Sequence, residues 1–177
     1  MRFRQQIEAL SGQNVNACFQ CSKCSSGCPL GDRMDLNPAQ VMHAIRLGLR
    51  DEVLNSQAIW ICVGCETCSA RCPQDVEPSA AMNAARILAK QAGLRPGAPD
   101  VSVFYDTFVA NLRLTGRIHD ASLAAVTRLR NGHPFDDMPL VWQLLVRGRI
   151  KPPRLPLGGN PFRTIDGRVR AEEEAPA

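Results

Sequence analysis

The chain has 177 residues, of which 45% are apolar and 21% charged, with a formal charge of +4. That length suits one domain with an extension and is too short for separate flavin, substrate and electron-transfer domains, while the composition is that of a folded chain. The charge is too small to indicate a nucleic-acid partner, no apolar stretch approaches the ~20 residues of a membrane span, and the N-terminus MRFRQQIEAL lacks the apolar segment of a secretory signal.

In chain order, Phe3, Ile7 and Leu10 stand at helical spacing and predict a short helix within residues 1–17 that caps the adjoining core. CFQCSKCSSGCP then carries Cys18, Cys21, Cys24 and Cys28. Asn37 and Pro38 read as an N-cap and a first helical residue. Val41, Ile45 and Leu49 repeat every four residues, with Gly48 near the helix end. Asp51 opens a second short helix through Val53, Leu54 and Ile59. CVGCETCSARCP comes next, with Cys62, Cys65, Cys68 and Cys72. Glu77 and Pro78 lead into SAAMNAARILAKQAG, an alanine-rich helix that Gly93 terminates.

After a break at LRPGAPD, Phe104, Phe108 and Leu112 mark a helix over 101–115 that ends at Gly116. Asp120–Asn131 and Met138–Val146 are two further helical stretches. From Lys151 the prolines, glycines and an EEE run predict an extended or disordered arm. Nothing between the cysteine runs alternates with period two, and no strand is expected. The expected fold is all-α. Its core is residues 1–95, followed by a helical extension over 96–150 and the tail over 151–177. The two cysteine runs are a local duplication, and no longer repeat is read.

Both runs have the spacing C-x2-C-x2-C-x3-C-P, and they hold all eight cysteines. This is the bacterial ferredoxin pattern for a [4Fe–4S] cluster. Three thiols placed three residues apart wrap one cluster face, and the loop N–H groups between them stabilise the sulfur charge. In two-cluster ferredoxins the fourth cysteine of each run serves the other cluster. By that rule Cys18, Cys21, Cys24 and Cys72 hold one cluster, and Cys62, Cys65, Cys68 and Cys28 hold the other. Two competing readings are structural zinc and disulfides. Zinc sites usually pair C-x2-C elements across a longer spacer. Disulfides need an oxidising compartment, whereas the N-terminus, without a signal, predicts a reducing one, the cytoplasm. An oxidised cluster with four thiolates carries about −2, so two of them roughly cancel the formal charge.

Other residues carry weaker signals. Trp60 either shields a cluster from water or is ordinary core. Gly27 and Gly64 allow close backbone approach or a positive φ. Lys23 and Arg71 face either cluster charge or solvent. His43, His119 and His133 are not needed as ligands and read as structural or surface residues. No Ser–His–Asp or Cys–His arrangement is present, and no catalytic residue is assigned.

Two such runs separated by a helical insert resemble the α-helical ferredoxins. More closely, CFQCSKCSSGCP followed by NPAQVMHAIRLGLRDEVLNSQAIWICVGCETCSARCP resembles the C subunit of heterodisulfide reductase, over about residues 10–90. The resemblance implies two [4Fe–4S] clusters. It also implies a relay of electrons between two partners. One is the flavin-containing A subunit, and the other is the B subunit, whose CCG motifs act on a sulfur or disulfide substrate. The chain contains neither CCG nor G-x-G-x-x-G, which suits a relay without a flavin or substrate site of its own. The family includes enzymes of the coenzyme M–coenzyme B disulfide and complexes of sulfate reducers and sulfur oxidisers, so substrate and direction stay open. The alternative is an iron–sulfur subunit of another dehydrogenase or quinone-linked complex.

Overall fold

The computed structural model describes residues 2–132, 142–143, 146–148 and 160–174. Among them there are helices, turns and loops but no strand. The chain divides into two compact units, Met1–Val101 and Ser102–Ala177.

The first unit opens with α1 (Phe3–Ser11), which Gly12 ends in the left-handed conformation. Phe3 and Ile7 enter the core as their spacing predicts, whereas Leu10 stays 47% exposed. The first cysteine loop carries a one-turn helix, α2 (Lys23–Ser26). Helix α3 (Pro38–Leu47) starts as its sequence dictates. The Asn37 side chain accepts from the Gln40 N–H, the Gln40 side chain returns the bond to the Asn37 N–H, and Pro38 occupies the first turn, where no N–H partner is lost. Gly48 then closes the helix at φ 78°.

The single helix expected from Asp51 to Ile59 is two, α4 (Arg50–Asn55) and α5 (Ala58–Ile61). Asp35 is the physical reason. Its carboxylate accepts from the Ser56 hydroxyl at 2.7 Å, the Gln57 N–H at 2.8 Å and the Ala58 N–H at 2.9 Å, which restarts the chain as a new helix. Gly97 presses on this same turn. A Cβ there would lie 2.8 Å from the Asn55 carbonyl and 2.9 Å from that of Ser56, so only glycine fits at this position. The second cysteine loop holds α6 (Thr67–Ala70), and α7 (Pro78–Gln91) completes the unit. The core is Ile7 of α1, Val41, Met42 and Ile45 of α3, Trp60 of α5 and Met82 of α7, all at 0–1% exposure.

Burial raises the Asp35 carboxyl, but the bonds from Gln57, Ser56, Ala58 and Leu36 outweigh it and hold the group below its ordinary value. A lowered carboxyl stabilises the fold above the ordinary carboxylate range and loses that contribution as pH falls. Asp35→Ala is therefore expected to cost about 1 kcal/mol at neutral pH, the usual loss of a helix cap. The gap between variant and parent should narrow in acid. Anaerobic urea unfolding at two pH values measures both quantities.

The second unit contains α8 (Pro99–Thr115, which begins just before the boundary), α9 (Asp120–Arg130) and α10 (Pro161–Glu174). Helix α8 buries a polar row of Ser102, Thr107 and Asn111, while Phe104 is 41% exposed. His119 caps α9 by accepting the Ser122 N–H on Nδ1. The expectation of an extended or disordered arm does not hold for residues 161–174. The proline-rich run ends at Pro161, a residue that a first helical turn accepts. Asn160 accepts the Phe162 N–H and donates to the carbonyls of Leu112 and Arg113, and Arg113 pairs with Asp166 at 2.7 Å. Residues 151–159 of the arm, most of the stretch Met138–Val146, and His133 lie outside the described residues.

Candidate metal centres

The two cysteine loops have the same backbone. Gln20 and Gly64, each just before the second cysteine, sit at φ 60° and 63°. Ser22 and Glu66, each just after it, sit at φ 61° and 59°. Two left-handed residues flanking one cysteine reverse the chain tightly and gather N–H groups on the inner side, as an anion-binding nest does. Only Gly64 adopts this conformation without steric cost; Gln20, Ser22 and Glu66 hold it because the loop requires it.

These turns and the crossing of the chain assemble two cavities. One is lined by Cys18, Cys21, Cys24 and Cys72, with Lys23 and Val76. The other is lined by Cys28, Cys62, Cys65 and Cys68, with Met34 and Met82. Each encloses about 370 Å³ of empty space, open mouth included. Each therefore joins three thiols of one run to the last thiol of the other. Cys21 and Cys65, the middle thiols, are exposed, whereas Cys68 is buried. Among the described residues no histidine lines either cavity.

None of the eight thiols is in a disulfide. Among the described residues no three His, Cys, Asp or Glu side chains converge closely enough to hold one metal ion. A zinc ion would draw four sulfurs to about 2.3 Å from itself. An all-thiol set of four, three of them from one C-x2-C-x2-C loop, is the donor set that a [4Fe–4S] cluster takes.

The local electrostatics follow from burial and hydrogen bonding. Burial pushes the Cys24 and Cys62 thiols up. For Cys62 the Gly64 N–H and the Arg86 charge offset part of that rise. The exposed Cys65 thiol is lowered by the hydroxyl of Thr67, 3.4 Å away. Gln20 donates its side-chain amide to the Cys18 sulfur at 3.2 Å. Glu66 is held below its ordinary value by the hydroxyls of Ser79 and Ser69.

Trp60 is 1% exposed and belongs to the core, not to either cavity wall. Gly27 has φ −105°, so its role is space; a Cβ there would meet the Arg71 guanidinium at 2.5 Å. Lys23 is exposed at its cavity's edge.

The duplication extends further than the cysteine runs, which corrects the reading of a local repeat. PAQVMHAIRL of α3 and PSAAMNAARI of α7 align with Pro, Met, Ala and Arg in common. Pro38, Ala39, Val41, Met42, Ala44 and Ile45 are buried, as are Pro78, Ser79, Ala81, Met82, Ala84 and Ala85. Each half is thus a loop followed by a helix, and the loop's serine ties them. Ser25 bonds to Asn37 and accepts the Ala39 N–H, while Ser69 bonds to Ser79. The linker from Cys72 to Pro78 is four residues shorter than that from Cys28 to Pro38, and this offset hides the repeat from a fixed-period search. Arg46 and Arg86, which no motif singles out, occupy equivalent places in the two halves. Arg46 donates to the Cys18 carbonyl at 2.9 Å, and Arg86 to the carbonyls of Cys62 and Ile59 at 2.7 Å each.

Residues 17–77 match the family model of the 4Fe-4S dicluster domain. The chain is 42% identical over 80 residues to the iron-sulfur C subunit of the CoB–CoM heterodisulfide reductase of Methanopyrus kandleri, a match covering 45% of this chain and 42% of that protein. It is 35% identical over 52 residues to the C subunit of the H2:CoB-CoM heterodisulfide,ferredoxin reductase of Methanothermobacter thermautotrophicus, covering 29% of this chain and 28% of that protein. The C subunit from Methanothermobacter marburgensis matches to the same extent. The chain thus matches less than half the length of each of these relatives. All eight cysteines lie within the stretch that matches the 4Fe-4S dicluster family, in an iron–sulfur protein related over part of its length to the C subunit of heterodisulfide reductases.

Proposed function

We propose that this chain is the electron-relay subunit of a heterodisulfide-reductase-like complex in the cytoplasm. It passes electrons between a flavin-containing partner and a CCG-type partner that acts on a sulfur or disulfide substrate. Cys18, Cys21, Cys24 and Cys72 hold one [4Fe–4S] cluster, and Cys28, Cys62, Cys65 and Cys68 hold the other. When bound, each cluster supplies one-electron transfer.

The observation that carries this reading is the exchange of the last cysteines between the cavities. Cys28 leaves the first loop to line the cavity of the second, and Cys72 does the reverse. Two centres built this way share one core and lie side by side, as a relay needs. Val76 gives apolar surface to one cavity and Met34 and Met82 give it to the other. Cys21 and Cys65 stay exposed, which leaves each centre one thiol at the surface for exchange with a partner. Among the described residues no helix is long and apolar enough to cross a membrane.

Protein purified without oxygen is expected to contain about eight iron and eight acid-labile sulfide per chain. Its absorption near roughly 400 nm should bleach with dithionite. About two zinc and no sulfide would end the relay reading. Affinity purification from the native source is expected to bring down a flavoprotein and a CCG-containing protein. Recovery of a different dehydrogenase would place the relay in another complex.

A further inference from the structure

We propose that Arg46 and Arg86 are a matched pair of positioning residues that set the reduction potentials of the two clusters, one arginine for each. The inference rests on the two-cluster reading above and adds a role for residues outside the cysteine loops.

The pair is matched in position, burial and target. Arg46 lies on α3 and Arg86 on α7, each eight residues after the proline that opens its helix. Both are half-buried, and each follows the same pattern of buried and exposed neighbours. Each donates to the backbone carbonyl of the first cysteine in its own half, Cys18 or Cys62. Arg86 adds a bond from Nε to Ile59 and so spans the end of α5, whose last carbonyls have no partner within the helix. Two halves with different linkers and few shared residues both keep this contact.

The contact has two consequences. In a planar trans peptide the C=O and the following N–H point in opposite directions. Holding the Cys18 and Cys62 carbonyls toward the arginines therefore aims the N–H groups of Phe19 and Val63 away from them. It also fixes the peptide from which the left-handed turns at Gln20 and Gly64 start. The second consequence is charge. A guanidinium remains protonated and can grip a carbonyl while half-buried. It places a positive charge at the foot of each loop, and positive charge near an iron–sulfur cluster favours its reduced, more negative state. Arg71 is placed differently: its guanidinium packs against Gly27 of the first run, not against a cysteine carbonyl at the foot of a loop.

The test uses the full chain purified without oxygen, with iron and sulfide counts and a redox titration followed by electron paramagnetic resonance. Arg46→Gln is expected to lower one of the two midpoint potentials and Arg86→Gln the other. Both variants should retain about eight iron per chain. Arg46→Lys and Arg86→Lys keep the charge and should return most of the shift. Unchanged potentials in both Gln variants at full iron content overturn the proposal. So does an equal shift in the Gln and Lys variants, which would make the guanidinium a packing element only. If a Gln variant loses iron, the Met variant of the same arginine decides, being neutral and of similar length: a lowered potential at that arginine's own cluster upholds the role, and two parental potentials overturn it. Parental protein without acid-labile sulfide would instead bring down the cluster reading itself, an outcome that the iron and sulfide counts separate from the others.

Discussion

Replacing Cys72 by serine is expected to destroy the centre built on Cys18, Cys21 and Cys24 and to leave the centre at Cys62, Cys65 and Cys68 in place. Cys72 belongs to the second run by sequence but lines the cavity of the first three thiols. Iron should fall from about eight to about four per chain, because a cubane missing one thiolate is held by three and exposed at the fourth iron. Cys28→Ser should cause a loss of the same size at the other centre. Combining variants separates the two assignments. Cys72→Ser added to Cys18→Ala should remove no further iron, since both residues line one cavity. Cys72→Ser added to Cys62→Ala should remove nearly all of it. If the first pair were additive and the second were not, each run would hold its own cluster, and the exchange of cysteines would have no part in ligation.

Trp60→Ala is expected to cost about 3–5 kcal/mol, the usual range for truncating a buried aromatic residue. Trp60 is 1% exposed and is the largest fully buried side chain in the first unit. The effect should reach one centre before the other. Helix α5 is four residues long, too short to persist on its own hydrogen bonds. It is held by Asp35 at its start, by Arg86 at its end and by Trp60 in the core, and it delivers the chain directly into Cys62. The variant should therefore lose iron from the Cys62, Cys65 and Cys68 side at a lower urea concentration than from the Cys18 side. Trp60→Phe should be far milder, below about 1.5 kcal/mol. Among the described residues the buried indole Nε1 has no acceptor, so its removal gives up no hydrogen bond there and partly offsets the smaller ring. Anaerobic unfolding followed by cluster absorption and helical signal reads both variants.

The helices were legible wherever the chain announces its own ends. Asn37 and Pro38 start α3, Pro78 starts α7, and Gly48 and Gly93 stop the chain after them, each through a bond or a dihedral that the local residues carry. Legibility failed where a distant group intervened. The break between α4 and α5 is made by Asp35, more than twenty residues upstream, and no periodicity within residues 51–61 contains it. The helix over 161–174 was masked by the prolines before it, although Phe162, Ile165 and Val169 recur at helical spacing. Phe104 follows helical spacing too and is nonetheless partly exposed, because α8 buries its polar row instead.

The same division holds at the centres. Cysteine spacing by itself determined the class of cofactor, since three thiols three residues apart can close around a cluster only through loops of one shape, and both loops adopt it. The spacing also marked Gly64 as a residue with backbone freedom to supply. Which thiols share a cavity, which residues reach the cysteine carbonyls and how far the duplication runs were decided by tertiary packing. Cys72 meets Cys18, and Arg86 meets Cys62, only after α3 and α7 have buried their matching apolar faces in one core. Those contacts depend on how far the helices advance and rotate as they pack. A four-residue difference in linker length is absorbed by that packing while it conceals the repeat in the linear sequence.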